Sequence, residues 1–109
     1  MASVTRRLAH AATGEHELDK TLSDRARLLL FDYLAVAVRG SASESSATAR
    51  GVLAADSAPQ SAVVEGTGLW TSTPTAALLN AMSGHSIEMD DAHEPASLHA
   101  GVVVWPTVL

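Results

Sequence analysis

The side chains best suited to chemistry lie in one short stretch near the end of the sequence, HSIEMDDAHEPASLH, from His85 to His99. Carboxylates and imidazoles are concentrated there, and neighbouring carboxylates repel one another. Charge clustered beside histidine gains nothing for folding and is typical of acid–base sites. The acids are Glu88, Asp90, Asp91 and Glu94, and the histidines are His85, His93 and His99.

Two other interpretations of this stretch stay open from the residues alone. It could be a solvated acidic loop with no chemical role. It could also hold a metal ion, because His85 and Glu88 are three residues apart and would share a face of a helix. Further nitrogen or oxygen ligands could then come from Asp91, His93 or His99, although this spacing is not a recognised metal motif.

Other catalytic classes lack their residues. The sequence contains no cysteine, which excludes a disulfide framework, a thiolate metal site and a cysteine nucleophile within these residues. Its serines form no GxSxG elbow, so a hydrolase triad is poorly supported. Gly66 and Gly68 flank a single threonine, which is too short for a phosphate loop and favours a turn.

Charge is distributed unevenly along the 109 residues. All seven lysines and arginines lie between Arg6 and Arg50, whereas the sequence from Gly51 to Leu109 holds six acids and no lysine or arginine. A surface without cations repels phosphate backbones, so we expect no nucleic-acid partner. No apolar run approaches the roughly 20 residues that span a bilayer, so we expect no membrane insertion either.

The elements around the acidic stretch are predicted to be mainly α-helical. A short helix from about Val4 to Ala12 is followed by a longer one from Asp24 to Val38, with Ser23 as its N-cap and Gly40 just past its end. This second helix is apolar nearly all round, which is typical of a helix buried on most sides. A chain of this length struggles to surround such a helix, which indicates missing partners.

The second half continues with short elements that lead into and out of the acidic stretch. Thr73 and Pro74 form a clear helix start, with threonine as the N-cap and proline at the first helical position. Gly84 within that helix predicts a tight contact or room for a ligand. In chain order we predict a helix over about 46–55, an extended segment over 61–66, a helix over about 73–89, a loop over 90–99 and a further apolar element from residue 101.

The stretch from Asn80 to Leu109 resembles the signature of the MmgE/PrpD family. That signature has a helix with paired alanines and an asparagine, then H-x-x-D-[FY]-D-D-[TS], then a histidine about eight residues on, followed by Pro/Ala-Gly and an apolar helix. The segment from Arg27 to Ser41 is similar to an early helix of the family. The matching residues are Ala76, Ala77, Asn80, His85, Asp90, Asp91, His99, Ala100 and Gly101.

Three positions depart from the family pattern. Glu88 stands where the family usually has aspartate, which keeps a carboxylate on a longer arm. Ala92 replaces the usual threonine or serine and removes a hydroxyl, and Ala100 replaces the common proline. The change at Ala92 removes a hydroxyl that the family often places at its site.

The resemblance implies that residues 1–109 are an incomplete N-terminal segment of one large all-helical domain, followed in the family by a smaller α+β domain absent from this chain. The family includes 2-methylcitrate dehydratase, cis-aconitate decarboxylase and iminodisuccinate epimerase. These enzymes abstract a proton next to a carboxylate of a di- or tricarboxylate, without metal or organic cofactor. We therefore expect a cytoplasmic homodimer whose missing remainder supplies the cations that hold the substrate.

Within that interpretation the residues of the acidic stretch have different predicted roles. His99 is predicted to be the acid–base or substrate-contacting residue, with Asp91 and Glu88 orienting or tuning it and Asp90 as a further catalytic candidate. His85 is predicted to bind substrate. Alternatives from other classes are a non-enzymatic helical interaction module, or truncated relic, and a fragment of a metal-binding hydrolase.

Overall fold

The computed structural model describes residues 3–14, 16–53 and 60–109. These residues form five α-helices, a two-stranded antiparallel hairpin and one 3-10 turn, which confirms the mainly helical fold. The elements are α1 (Val4–Thr13), α2 (Lys20–Gly40), α3 (Glu44–Leu53), β1 (Ala62–Val64), β2 (Leu69–Thr71), α4 (Thr73–His85), the 3-10 turn (Glu94–Ala96) and α5 (Gly101–Val108).

Helix α1 agrees with its predicted bounds to within a residue and buries none of its side chains. Helix α2 begins at Lys20, four residues before the predicted start at Asp24, so that prediction is wrong. The reason is an earlier cap, because the Asp19 carboxylate accepts a hydrogen bond from the Leu22 N–H at 2.7 Å. Asp24 then lies inside the helix and pairs with Lys20, one turn before it.

Gly40 does not end α2 as a left-handed cap, which corrects its predicted role. It is the last residue of the helix and is buried. A Cβ at Gly40 would lie only 2.0 Å from the carbonyl oxygen of Ser83 on α4. The missing side chain therefore allows α2 and α4 to cross in backbone contact.

The first part of the core lies where α2, α4 and α5 meet. It is formed by Tyr33, Ala37 and Val102, all buried. Gly84 sits between them, and a Cβ there would lie 2.9 Å from Val102 and 3.1 Å from the Tyr33 ring. The tight contact predicted at Gly84 is thus present, and it fixes the end of α4 against both neighbouring helices.

A second cluster packs the hairpin against α4 around Val64, Ala76 and Leu79. Ala62 pairs with Thr71 and Val64 with Leu69, and β2 was not anticipated from the sequence. Gly66 and Gly68 both have positive φ, at 73° and 69°, as turn residues should.

Asn80 ties this hairpin to α4. Its Nδ2 donates to the Val63 carbonyl at 3.0 Å, and its Oδ1 accepts from the Glu65 N–H at 2.9 Å. Both halves of a buried amide are thereby satisfied by backbone. The family-like asparagine is therefore a clamp between helix and hairpin.

Helix α3 matches the predicted small-residue helix, although Ala54 and Ala55 at its expected end lie outside the described residues. Helix α4 is capped at Ser72, one residue before the predicted cap. It ends at His85, four residues before the predicted end at Met89. The Ser86 hydroxyl donates to the carbonyls of Ser83 and Gly40, at 3.0 and 3.1 Å, and this closes the helix early.

Large apolar side chains remain exposed on the outer surface of α2. Phe31 is 73% exposed and Leu28 is 65% exposed, one turn apart on the same face. The uncovered apolar surface expected for this helix is therefore present. Within the described ranges, none of the helices combines the length and hydropathy needed to cross a bilayer.

Candidate functional site

The segment between α4 and α5 reverses direction twice and folds back onto the helix ends. Glu88 and Ser97 adopt left-handed backbone conformations, with φ of 53° and 49°. Non-glycine residues pay about 1 kcal/mol or more for this conformation, and such residues concentrate at functional sites. The two reversals bring His85, at the end of α4, next to His99, just before α5.

Asp90 lies between the two histidines, and its side chain is only 2% exposed. Nδ1 of His85 is 3.1 Å from both carboxylate oxygens of Asp90. Nδ1 of His99 is 3.0 Å from Oδ2 of the same carboxylate. The two rings meet edge to face, with centroids 4.9 Å apart. One buried carboxylate therefore contacts both imidazoles.

Glu88 contacts the opposite side of His85, with Oε1 3.4 Å from Nε2. The residue is exposed and does not lie on the helix, so the proximity arises from the left-handed turn rather than from helical spacing. The hydrogen bond to Asp90 raises the pKa of His85, partial burial opposes this, and the charges of Asp90 and Glu88 raise the pKa further. His85 therefore tends to carry a proton and a positive charge.

The Asp91 side chain contacts the start of α5. Its Oδ1 accepts a hydrogen bond from the Gly101 N–H at 2.8 Å. This is a helix-capping contact, which satisfies a backbone donor that the helix cannot. The acids predicted at the negative end of the α4 dipole thus lie beyond that helix, and Asp91 meets the positive end of α5 instead.

The remaining residues between His85 and His99 form a turn at the tip of the acidic segment. Nδ1 of His93 accepts from the Ala96 N–H, and the His93 N–H donates to the Leu98 carbonyl at 2.8 Å. A shallow cleft of about 290 Å³ lies beside this turn, and His99 forms part of its wall. Its other lining residues are Ala92, His93, Glu94, Ser97 and Leu98.

The structure brings together His85, Asp90 and His99, with Glu88 at the edge, and places Asp91 in a capping contact. Sequence reasoning ranked Asp90 below Asp91 and Glu88. Because α4 ends early, at His85, Asp90 is the carboxylate that lies between the two histidines. The sequence signal for this early end was the serine that follows His85.

Comparison with known families supports a family assignment. Residues 7–109 match the family model described as the MmgE/PrpD N-terminal domain. The chain belongs to the MmgE/PrpD family. No curated protein and no solved structure matched the chain. The match includes every residue of the His85–Asp90–His99 cluster, so this cluster is part of the MmgE/PrpD N-terminal domain.

Proposed function

We propose that this chain is the N-terminal part of a cofactor-independent lyase or isomerase that abstracts a proton next to a carboxylate of a di- or tricarboxylate. The observation that carries the proposal is the pair of imidazoles sharing the buried Asp90 carboxylate in an MmgE/PrpD chain. Proton abstraction requires a positioned acid–base group near the reacting carbon. The imidazoles of the cluster can supply such a group.

His99 is the proposed acid–base residue. Its Nδ1 is buried against Asp90, while the side chain as a whole is 36% exposed and lines the cleft. Nε2 is therefore the nitrogen that a substrate in the cleft would meet. An imidazole can act as a general acid or base, and the contact of His99 Nδ1 with the Asp90 carboxylate restrains the ring.

His85 is the proposed substrate-binding residue. The neighbouring carboxylates raise its pKa and favour the imidazolium form. A cation at this position suits a carboxylate of the substrate, because charge-assisted hydrogen bonds are stronger than neutral ones. Asp90 would thus orient one ring for proton transfer and keep the other charged for binding.

The rest of the proposed enzyme would supply the positive charges that bind the substrate. The sequence after Arg50 contains no lysine or arginine, so a substrate with two or three carboxylates needs further cations. We propose that the remaining polypeptide, in a cytoplasmic homodimer, supplies them around the same cleft. This division explains how an acidic segment can take part in binding an acidic substrate.

The test is the His99→Ala substitution in the complete enzyme, this chain together with the rest of the proposed polypeptide. We expect kcat to fall by roughly 10²–10⁴-fold, the usual contribution of a general acid–base group. His10→Ala on the exposed helix α1 is the matched control and should leave kcat unchanged. Both variants must melt close to wild type, and near-normal turnover of the folded His99→Ala enzyme would contradict the proposal.

A further inference from the structure

The buried Asp90 carboxylate is approached by two ring nitrogens that both carry a lone pair when unprotonated. His85 Nδ1 and His99 Nδ1 lie 3.1 and 3.0 Å from Asp90 Oδ2. A nitrogen lone pair and a carboxylate oxygen repel each other at this distance. Either each Nδ1 therefore carries a hydrogen that points at the carboxylate, or one metal ion is shared by all three side chains.

His99 provides the observation that separates these two cases. Its Nδ1 is buried and has no hydrogen-bond partner, although Asp90 Oδ2 is only 3.0 Å away. The distance is short, but the direction is not that of a hydrogen bond. A buried polar atom without a partner is unfavourable, and a metal ion placed between the three side chains would give this nitrogen a partner.

The spacing of the three side chains fits such an ion. One ligand atom from each of His85, Asp90 and His99 can be chosen so that all three lie within 4.8 Å of one another. Zn²⁺ binds nitrogen and oxygen at about 2.0–2.2 Å in a tetrahedron, so its ligands are roughly 3.3–3.6 Å apart. An ion bound to all three side chains would therefore draw their ligand atoms closer together by up to about 1.5 Å.

A carboxylate that could hydrogen-bond to a metal-bound histidine is also present. Metal-bound histidines commonly donate their second N–H to a carboxylate, which fixes the tautomer. Glu88 Oε1 lies 3.4 Å from His85 Nε2 and can accept that proton while Nδ1 binds the ion. The left-handed backbone at Glu88 is what turns this carboxylate toward the ring.

We propose that His85, Asp90 and His99 form a binding site for a divalent transition ion of the zinc class, and that the ion inhibits the enzyme. An imidazole whose Nδ1 is bound to metal keeps its remaining proton on Nε2, so His99 could no longer accept a proton from a substrate. The inhibitory half rests on the proposed function, whereas ion binding stands on the geometry alone.

The binding half is tested by titrating Zn²⁺ into the full chain in a calorimeter, with Co²⁺ absorption as a second readout. We expect one ion per chain and the intense visible bands of tetrahedral Co²⁺. Asp90→Asn and His99→Gln should each weaken binding by at least about tenfold, because even outer-shell changes cost 10–100-fold. His10→Gln, which removes an exposed imidazole outside the cluster, should bind like wild type.

The outcomes are distinct. Absence of saturable binding, or equal binding by Asp90→Asn and wild type in folded protein, overturns the ion site. In the complete enzyme, added Zn²⁺ should lower turnover at least tenfold and a chelator should restore it. Tight binding without inhibition overturns the inhibitory half, while normal turnover of His99→Ala overturns the proposed function and leaves the ion site standing.

Discussion

Gly101 and Asp91 are fitted to each other so closely that a methyl group cannot be placed between them. The Gly101 N–H donates to Asp91 Oδ1 at 2.8 Å, and a Cβ on Gly101 would lie 2.3 Å from the same oxygen. The contact joins the acidic segment to the start of α5. It therefore holds His99, two residues before Gly101, at a fixed distance from the segment that carries Asp90.

Removing this contact should loosen α5. We expect Asp91→Ala to lower the free energy of unfolding by about 1–2 kcal/mol, the usual cost of losing a helix cap, as measured by urea denaturation. Glu94→Ala is the control, because Glu94 is an exposed acid in the same segment and should change stability by less than about 0.5 kcal/mol. Equal effects of the two substitutions would show that the Asp91 contact does not stabilise the fold.

Glycine-to-alanine substitutions should have opposite effects at two helical positions. Gly84→Ala inserts a methyl group 2.9 Å from Val102 and should destabilise by about 1–3 kcal/mol, the range for overpacking. Gly51→Ala on α3 meets nothing within 4 Å and should stabilise by up to about 1 kcal/mol through helix propensity. Thermal melting of the two variants measures these effects. A Gly84→Ala variant that is more stable than wild type would contradict the close packing of Gly84 against Val102.

The Tyr33–Glu65 pair should make stability depend on pH. Burial raises the pKa of Glu65 above 4.5, and the hydrogen bond from Tyr33, 2.7 Å long, partly offsets this. An acid with a raised pKa in the folded state binds more protons there than when unfolded, so stability falls as the pH rises through the folded pKa. The contribution is fully present below about pH 4.5 and is lost as the pH rises through the folded pKa.

Glu65→Gln should remove that decrease, because an amide does not ionise yet still accepts from the Tyr33 hydroxyl. The variant should gain stability relative to wild type between pH 4.5 and 7, in parallel urea titrations at each pH. Tyr33→Phe should instead destabilise by about 1.5–3 kcal/mol at neutral pH, since it removes a hydrogen bond to a charged group. A pH-independent difference between wild type and Glu65→Gln would contradict the assignment.

The exposed face of α2 should drive association of the isolated chain. Contiguous apolar side chains on a surface mark an interface or an aggregation site. We expect sedimentation velocity to show concentration-dependent association that Phe31→Lys reduces. Val52→Lys on α3, an equally exposed apolar position, is the control and should reduce it less. A monodisperse wild-type monomer that melts cooperatively would favour a self-sufficient binding module over an enzyme part.

Local signals in the sequence were enough for much of the helical framework. Proline after Thr73 marked the start of α4 to within a residue, and Gly66 and Gly68 marked the hairpin turn. The sequence failed where a distant contact decides the outcome. The crossing at Gly40 depends on Ser83, and the early end of α4 depends on a hydroxyl bond from Ser86 back to α2.

The same limit applied to the site. The cluster of acids and histidines was visible from composition alone, but which acid turns inward was not. The sequence reasoning ranked Asp91 above Asp90, and it did not predict the left-handed turn at Glu88 that precedes both acids. The neighbour that Asp91 actually contacts, Gly101, lies ten residues away, beyond the range of helical or strand periodicity.

Three contacts in the segment between the two histidines divide it into a base and a tip. These contacts are His85–Asp90, Asp91–Gly101 and His93–Leu98, and residues 94–97 form the turn between the last pair. Glu94 and Ser97, in that tip, also form part of the cleft wall. Replacing or lengthening the tip would therefore alter the cleft wall and leave the contacts of His85 and His99 with Asp90 in place, so the outline of the cleft and the arrangement of the imidazoles could vary independently of each other.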